Sequence, residues 1–474
     1  MFNKKQFPFL AVLLVASLAL ASCAPQATQT AAPVEQTPVT IIQTVIVEKE
    51  GTPEVQFVEV TPIPEPTKAL AEEDVVTINW WATERGRDTA ETREMHFQLA
   101  RAFEESHPNT AVAVSLFPSR AFATRVLTAI AAGEGPDIWY HYWAPDIATQ
   151  GFLEDLTPYI ESDGLNPEEL WFPIGRIRGT YEGKYYGLPR DATGYVYAYN
   201  KDIFDAAGVE YPQEGWTVAD YREKAIAVTD IDQGIYGVPT IDSGWFQWHP
   251  TSFNLGVDFV SEDGKQVKGY MDTPEAINAM HWVLDLAAKD QVSAPAGLAE
   301  QFGLDFLSGQ IGIFGLTTWE VPAFLEGVNF DYGIVPPPSF EAGEEAIAWT
   351  DSYMFYMNKD SQYKDRVWEF MKFLTGPEGG KLMAESGVWT PAIPTIWQEM
   401  GWTEDPILGP IYNELQKPAR VLNYERSQYY FDCVGPVFDQ VTTAYLEEGN
   451  TDLETMVPPL VEEAQACLDK NYGQ

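Results

Sequence analysis

Strand-like and helix-like segments alternate along the chain from residue 75 to residue 142. The stretch VVTINWWAT (75–83) is rich in β-branched and aromatic residues, and an amphipathic helix pattern follows it over 89–106. AVAVSLF, AFATRVLTAIAAG and GPDIWYHY then predict a strand, a helix and a third strand. This alternation favours a parallel, doubly wound sheet, in which ligand sites gather at the carboxyl ends of the strands.

The length of the chain favours more than one lobe. About 400 residues follow residue 74, and a single hydrophobic core seldom serves that many. We therefore expect an α/β fold built from two lobes, each with a doubly wound sheet.

The N-terminal segment has the layout of an export signal. Lysines precede an apolar run over 7–20, and small residues lead from it to Cys23. The run is too short to span a bilayer stably. The tetrapeptide LASC resembles a bacterial lipobox, in which cleavage precedes a lipid-bearing cysteine, although an ordinary secretory signal could also contain an incidental cysteine. We expect a signal peptide over 1–22 and a lipid on Cys23 that anchors the exported protein to the outer face of the cytoplasmic membrane.

The next segment, 23–74, has the composition of a tether. It is rich in proline and threonine, and Phe57 is its single aromatic residue. Such a segment buries too little apolar surface to offset the entropy of ordering, so we expect disorder. The stretch VTIIQTVIV (39–47) is strand-prone and could pair transiently.

Charge and motif content exclude several functions. The chain has 29 Lys and Arg residues against 70 Asp and Glu, a formal net charge of −41. Nucleic acid would repel such a protein. The five histidines lack the paired spacing typical of zinc sites, and the chain has no P-loop, G-x-S-x-G or G-x-G-x-x-G motif. We therefore expect neither a metal nor a cofactor.

Two cysteines remain once Cys23 is assigned to the lipid. In an exported protein, Cys433 and Cys467 favour a disulfide. They lie at the start of one helix pattern (435–447) and near the end of the next (452–469), which are opposite positions in an antiparallel hairpin. Two buried free thiols are the alternative.

Several stretches together carry a family resemblance. They are GFLEDLTPYI (151–160), YEGKYYGLPRDATGYVYAYNKDIFDAAGV (181–209), FLSGQIGIFGLTTW (306–319) and FLTGPEGG (373–380). In order and spacing they resemble the family 1 extracellular solute-binding proteins of ABC importers, the maltose-binding-protein-like group, from about residue 75 to residue 470. The resemblance implies a monomer with a type II-like periplasmic-binding-protein fold, which closes over a solute. It also implies delivery to a membrane permease that works with a separate ATPase.

The resemblance further implies where the two lobes divide. Hinge crossings would lie near 189–194, 334–338 and 374–379, where prolines and glycines suit a segment that absorbs backbone rotation. Read without the resemblance, these are turn residues. Lobe one would comprise 75–190 and 338–376, and lobe two would comprise 191–337 and 377–474.

Aromatic residues beside charged ones at predicted strand ends indicate a sugar site. A sugar has an apolar C–H face and a hydroxyl rim, so its site needs flat aromatic rings edged by carboxylates, amides or arginine. By the resemblance, Trp319 occupies the family's sugar-platform position, while Arg190 and Asp191 would form the cleft floor. The full set of expected ligand-binding residues is Trp81, Glu84, Arg85, His141, Trp143, Arg190, Asp191, Asp242, Trp245, Trp248, Trp319, Trp349 and Asp351.

Each of these residues also has a structural interpretation. Tryptophans commonly pack in cores, and Arg190 with Asp191 could be a structural ion pair. Two other functions stay open, namely a surface-anchored carbohydrate hydrolase that uses a carboxylate pair, and an adhesion module without saturable small-molecule binding. The same fold could also bind a solute other than a sugar.

Overall fold

The computed structural model describes residues 41–49, 52–60, 75–84, 90–118, 122–142, 147–148, 150–242, 255–295, 305–346, 349–419 and 421–473. These residues fall in two compact units, 1–69 and 70–474. The signal peptide expected over 1–22 and the lipid site expected at Cys23 lie outside the described residues.

The first unit contains a β-hairpin where the sequence predicts a disordered tether. Strand β1 (Ile41–Lys49) pairs antiparallel with β2 (Thr52–Val60), with Ile41 opposite Val60. Both strands are rich in valine, isoleucine and threonine, which have high β propensity. The strand-prone patch therefore has a partner within the same segment, and the expectation of disorder needs correction there.

The second unit contains the remaining strands. They are β3 (Val76–Glu84), β4 (Thr110–Pro118), β5 (Ile138–Tyr142), β6 (Thr180–Tyr181), β7 (Lys184–Tyr185), β8 (Gly187–Pro189), β9 (Tyr195–Asn200), β10 (Ile313–Thr317), β11 (Tyr332–Val335) and β12 (Tyr353–Met357). The first lobe has the sheet order β4-β3-β5-β12-β8, in which β3, β4 and β5 are parallel and β12 is antiparallel. The second lobe has the order β10-β9-β11, in which both pairings are antiparallel, so this sheet differs from the doubly wound sheet expected in each lobe.

Helices cover these sheets. They are α1 (Ala90–Ser106), α2 (Phe122–Ala131), α3 (Thr157–Asp163), α4 (Pro167–Leu170), α5 (Pro173–Arg178), α6 (Lys201–Ala207), α7 (Val218–Val228), α8 (Pro274–Ala288), α9 (Val321–Gly327), α10 (Lys364–Thr375), α11 (Pro377–Glu385), α12 (Pro394–Glu399), α13 (Leu408–Gln416), α14 (Tyr430–Cys433), α15 (Gly435–Leu446) and α16 (Leu453–Tyr472). Short 3-10 helices cover Ile231–Gln233, Asp305–Ser308, Trp402–Glu404 and Asn423–Arg426.

Local sequence explains why these helices form where they do. In α1, Met95, Leu99 and Phe103 recur every four residues and are all buried, so one stripe of the helix faces the sheet. Helix α7 begins with a capping box, in which Thr217 and Asp220 each satisfy a backbone N–H of the other. The sheets and their helices form a two-lobed fold, as predicted.

The terminal helices α15 and α16 form the hairpin that the sequence predicts. Cys433 and Cys467 are joined in a disulfide, with their Cα atoms 5.5 Å apart. Cys433 precedes α15 and Cys467 lies in the last turns of α16, so the bond joins the open end of the hairpin.

Three chain segments connect the lobes and lie side by side. The first, 190–194, joins β8 to β9. Its Thr193 pairs with Asp351 through two backbone hydrogen bonds of 2.8 and 2.9 Å. Its Ala192 donates its N–H to the Thr390 carbonyl (2.8 Å) and accepts from the Thr390 hydroxyl (2.8 Å). We refer to 190–194, 349–353 and 388–392 as the crossing segments.

The sequence places the second and third crossings near 334–338 and 374–379, and that division of the lobes stays a prediction. Ser339 still pairs with the backbone of Trp216 in the second lobe, and Trp349 still packs in the second-lobe core. Helix α11 packs against α1 and α10 of the first lobe, although the expected boundary after residue 376 assigns it to the second. The prolines that suggest hinges have other roles, because Pro336 accepts the Trp216 indole N–H (2.7 Å) and Pro377 begins α11.

No helix in the described part of the chain is long and apolar enough to cross a membrane. Within the same residues, no group of three or more His, Cys, Asp or Glu side chains could hold a metal ion.

Candidate functional site

Arg190, in the first crossing segment, lies among three aromatic rings. Its guanidinium carbon is 4.4 Å from the ring centroid of Tyr140, 4.4 Å from that of Tyr353 and 3.9 Å from that of Trp389. Aromatic faces attract a cation, and more strongly where water is excluded. We call Tyr140, Tyr353 and Trp389 the Arg190 cage.

Asp191 holds Arg190 in place and links it to the first sheet. Its Oδ2 accepts from Arg190 Nε (3.1 Å) and pairs with Arg190 Nη2. Its Oδ1 accepts the backbone N–H of Tyr353 (2.8 Å). The two neighbouring residues that the sequence predicts at the cleft floor are thus both buried and bonded to each other.

His96 lies behind the cage and is held uncharged. Its Nδ1 is 2.9 Å from the Thr92 carbonyl, which can only accept, so Nδ1 carries the proton, and Nε2 lies 3.0 Å from the Tyr140 hydroxyl. Burial lowers the pKa of His96 to about 4; the Thr92 bond opposes this shift, and the charge of Arg190 adds to it. The wall behind Arg190 therefore carries no competing positive charge at neutral pH.

A second buried arginine lies close by along the chain but has different partners. Arg178, at the end of α5, is 1% exposed and pairs through Nη2 with Asp351 and with Glu425 Oε2 (2.8 Å). Within the described residues its Nε and Nη1 have no hydrogen-bond partner. Burial alone would lower the pKa of Arg178, but the two carboxylates raise it above its ordinary value. We call Arg178, Asp351 and Glu425 the Arg178 triad.

Burial acts on the pKa of Glu425 in the opposite direction from its action on the pKa of Arg178. Burial raises the pKa of Glu425 to about 7, although the charge of Arg178 acts to lower it. Trp349 Nε1 donates to Glu425 Oε1 at 3.5 Å, and the Tyr424 hydroxyl donates to the same oxygen at 3.3 Å. These bonds favour the charged carboxylate, but burial is the larger effect.

Trp319 lies directly after β10 and beside the first crossing segment. The Thr318 N–H donates to the Gly194 carbonyl (3.3 Å), and the Gly194 N–H donates to the Thr318 hydroxyl (3.2 Å). Glu320 fixes the end of the strand by accepting from the N–H (2.9 Å) and the hydroxyl (2.7 Å) of Thr317. The Trp319 side chain is half-buried, so part of its surface remains exposed at the junction of the lobes.

Other expected site residues lie on both faces of the first sheet. The His141 ring is 6.3 Å from the Tyr353 ring and 6.2 Å from Phe122, so it lies at the edge of the Arg190 cage. Trp81 is half-buried and packs on Phe117 (4.8 Å between centroids). Because side chains alternate along a strand, Trp81 and the fully buried Trp80 point to opposite faces, and Trp80 is the one that contacts His96.

The remaining expected residues are divided between the interior, the surface and undescribed parts of the chain. Trp349 is 4% exposed in the second-lobe core, so the structure buries a ring that the sequence places against the solute. Asp351 belongs to the Arg178 triad, and Asp242 is exposed. Arg85, Trp143, Trp245, Trp248 and the side chain of Glu84 lie outside what the structure describes.

The structure thus brings together Arg190, Asp191, Asp351, His141 and Trp319 around the crossing segments. The sequence did not identify the Arg190 cage, whose members come from β5, β12 and the third crossing segment. The one sequence signal for the cage was the strand IWYHY, in which side chains alternate between the two faces of the sheet. This alternation puts Tyr140 on the opposite face from Trp139 and His141. Arg178 and Glu425 gave no sequence signal, because only the fold brings them together.

A crossing site between two α/β lobes defines a binding protein that holds a solute between them. The family model for bacterial extracellular solute-binding proteins matches residues 90–381, and the chain belongs to this family. Membership makes it an exported solute-binding protein.

Individual relatives agree with this assignment. A maltotriose-binding protein from Pyrococcus abyssi is 27% identical over 318 residues, covering 65% of this chain and 66% of its own, which is just under two thirds of that relative. An ABC substrate-binding protein from Listeria monocytogenes, solved in complex with cycloalternan, has a TM-score of 0.67 at 22% identity and covers 84% of this chain and 100% of its own. The sugar-binding protein MalE from Xanthomonas citri has a TM-score of 0.69 at 18% identity. The match covers 84% of this chain and 98% of the MalE chain.

Proposed function

We propose that this protein captures a sugar or oligosaccharide between its lobes and delivers it to the permease of an ABC importer. A separate ATPase subunit would supply the energy. The observation that carries this proposal is the first crossing segment, which holds Arg190 in its aromatic cage at one end and bonds at the other end to Thr318, the neighbour of the half-buried Trp319.

This placement suits the chemistry of a sugar. The indole face of Trp319 can pack against the apolar C–H face of a pyranose ring. Arg190 and the nearby His141 can donate hydrogen bonds to hydroxyl groups, and Asp191 can accept them. The Pyrococcus relative is named for binding maltotriose, and the Listeria protein was solved with cycloalternan. Both ligands are oligosaccharides of glucose, which supports that ligand class here.

The crossing segments supply the means of capture. Both lobes contribute residues beside them, so a solute that touches both lobes at once binds the closed form better than the open form. Closure then follows from differential binding, and the closed shape is what the permease would recognise.

Anchoring would hold the protein near that permease. We propose that Cys23 carries lipid and that segment 23–74, including its β-hairpin, links the membrane to the lobes. A tethered receptor has a high effective concentration at its permease. Because one acyl chain binds a membrane only weakly, multiple acylation of Cys23 is part of the proposal.

We further propose that the protein breaks no bond and acts as a monomer. A glycosidase needs one carboxylic acid and a second carboxylate across the scissile bond. At this site Asp191 is committed to Arg190 and Tyr353, and Asp351 is committed to Arg178. Neither is available as a general acid.

A thermal-shift screen tests the proposal. The mature protein is heated with glucose, maltose, maltotriose, cycloalternan, arabinotriose and glycerol 3-phosphate. At equal concentration, a ligand that binds more tightly raises the unfolding midpoint further. We expect at least one sugar to raise the midpoint and to remain intact afterwards. A shift with glycerol 3-phosphate alone would favour a non-sugar solute. New reducing ends would establish a hydrolase, and no shift at all would favour an adhesion module.

A further inference from the structure

A groove separate from the Arg190 cage lies between α5 and the segment that follows α13. Its volume is about 750 Å³, within the range of small-molecule sites. One wall comes from α4, α5 and the β6–β7 hairpin, and the other from 416–419 and 421–426. Its lining residues are Glu168, Pro173, Arg176, Ile177, Thr180, Glu182, Gly183, Tyr185, Gln416, Pro418, Ala419, Val421 and Arg426.

The two walls are firmly built. Helix α5 lies against β8 so closely that a Cβ on Gly175 would come within 2.8 Å of the Pro189 side chain. The opposite wall leads into the second-lobe core, where Leu422 and Tyr424 are buried. A Cβ on Gly264 would lie 3.0 Å from the Asn423 carbonyl oxygen, so the second wall is also close-packed. The groove is therefore held open by packed backbone on both sides.

Arg426 is the unusual residue of this groove. Its Nε is buried, and within the described residues no hydrogen bond or ion pair satisfies it. Two other described arginines nearby have carboxylate partners, Glu168 for Arg176 and both Asp351 and Glu425 for Arg178. Buried donors nearly always have a partner, so this unsatisfied Nε at the edge of a cavity indicates a missing acceptor.

The rest of the lining indicates what that acceptor belongs to. Arg176 already neutralises Glu168. Apolar surface comes from Ile177, which is 40% exposed, and from Val421. Pro173, Pro418 and Ala419 add to the apolar lining. A planar guanidinium prefers a carboxylate, which can accept two parallel hydrogen bonds from it.

We propose that this groove binds a small organic carboxylate with an apolar body. The carboxylate pairs with Arg426, and the apolar part packs on Ile177 and Val421. The groove and the Arg190 cage have no residue in common, so this site is independent of the sugar site. Its test needs no sugar and can fail while the proposed function holds.

The test is a ligand-observed NMR titration of the mature protein with sodium benzoate at fixed ionic strength. Benzyl alcohol has the same ring without the charge and serves as the matched ligand. We expect saturable benzoate binding that is at least about tenfold tighter than that of benzyl alcohol, because the charged pair accounts for the difference. No saturable benzoate binding, or equal binding of both ligands, would overturn the proposal.

Variants locate the binding in the groove. Arg426→Gln should weaken benzoate binding at least about tenfold. Arg101→Gln makes the same charge change on the exposed side of α1 and should leave benzoate binding unchanged. Ile177→Glu puts a carboxylate on an exposed position of the groove wall and should abolish benzoate binding by repulsion, even if Arg426→Gln does not fold. Wild-type affinity in folded Arg426→Gln, or in Ile177→Glu, would contradict the assignment.

Discussion

Two buried arginines lie near the crossing segments, and their partners differ. Arg178 is neutralised by Asp351 and Glu425, which come from distant parts of the chain. Arg190 has one carboxylate partner, its own neighbour Asp191, and is otherwise surrounded by aromatic rings. The carboxylates of the Arg178 triad hold separate segments together. The Arg190 cage instead surrounds a single cation with aromatic rings. From this comparison we propose a structural role for Arg178 and a ligand-binding role for Arg190.

The largest effect should come from breaking the Arg178 triad. Arg178→Met leaves two carboxylates buried without their cation, and we expect the free energy of unfolding to fall by about 3–5 kcal/mol. Urea denaturation measures this. The control is Arg101→Met, which removes a surface pair with Glu94 and should cost no more than about 1 kcal/mol. Equal losses in both variants would show that the triad does not hold the segments together.

The two sites should respond to pH in opposite directions. The pKa of His96 is about 4 in the folded protein against an ordinary 6.5, so between these values only the unfolded chain takes up the proton. Stability therefore falls as pH is lowered from 6.5 to 4, by up to about 3 kcal/mol.

The pKa of Glu425 is raised to about 7, so its folded form keeps a proton that the unfolded chain loses. The stabilisation that Glu425 provides is therefore lost as pH rises from the ordinary pKa of glutamate towards 7.

Urea denaturation across pH 4 to 8 separates these contributions. His96→Gln should remove the loss on the acid side, and Glu425→Gln, which imitates the protonated side chain, should remove the loss towards neutral pH. If neither substitution changes the pH dependence of the unfolding free energy, the two groups do not titrate as described.

A smaller effect should follow from Arg190→Met, and it should appear mainly in binding. Hydrogen bonds from a charged donor are worth about 1.5–3 kcal/mol, so sugar affinity should fall by at least about tenfold. The stability loss should be smaller than that of Arg178→Met, because the aromatic rings can pack around methionine. Calorimetric titration with the sugar selected by the thermal-shift screen measures this. A variant that binds normally but unfolds easily would make Arg190 a structural residue.

The smallest expected effect concerns the tryptophans. Trp319→Ala should weaken sugar binding by about 1–3 kcal/mol and leave the fold intact, because it removes one stacking face. Trp349→Phe is the matched control, since Trp349 is buried beside Glu425 and should affect stability alone. Calorimetry on both variants tests the assignment. A loss of affinity in the Trp349 variant only would exchange their roles.

The sequence predicted the fold class for identifiable reasons, and it pointed to two neighbouring residues of the candidate site. Strand and helix periodicity gave the α/β class, and the order of several motifs gave the two lobes. Arg190 with Asp191 was predictable because the two are adjacent in one motif. The Arg190 cage was not, since Tyr140, Tyr353 and Trp389 come from three distant segments that only the folded sheet brings together.

The predicted crossings show a different limit of the sequence. Prolines and glycines at 334–338 and 374–379 have the composition of hinges, but they end β11 and begin α11. Composition indicates where regular structure stops, and it does not distinguish a turn within a lobe from a segment between lobes. Trp349 illustrates the same limit, because its type suits both a sugar platform and a core.

The most direct test of solute capture between the lobes is a distance measurement across them. Spin labels at Arg101→Cys on α1 and Glu275→Cys on α8 report the separation of the lobes by pulsed electron paramagnetic resonance. We predict that a saturating sugar from the thermal-shift screen shifts the distance distribution to a single narrower population, and that Arg190→Met needs more sugar for the same shift. An unchanged distribution with sugar bound would contradict the account.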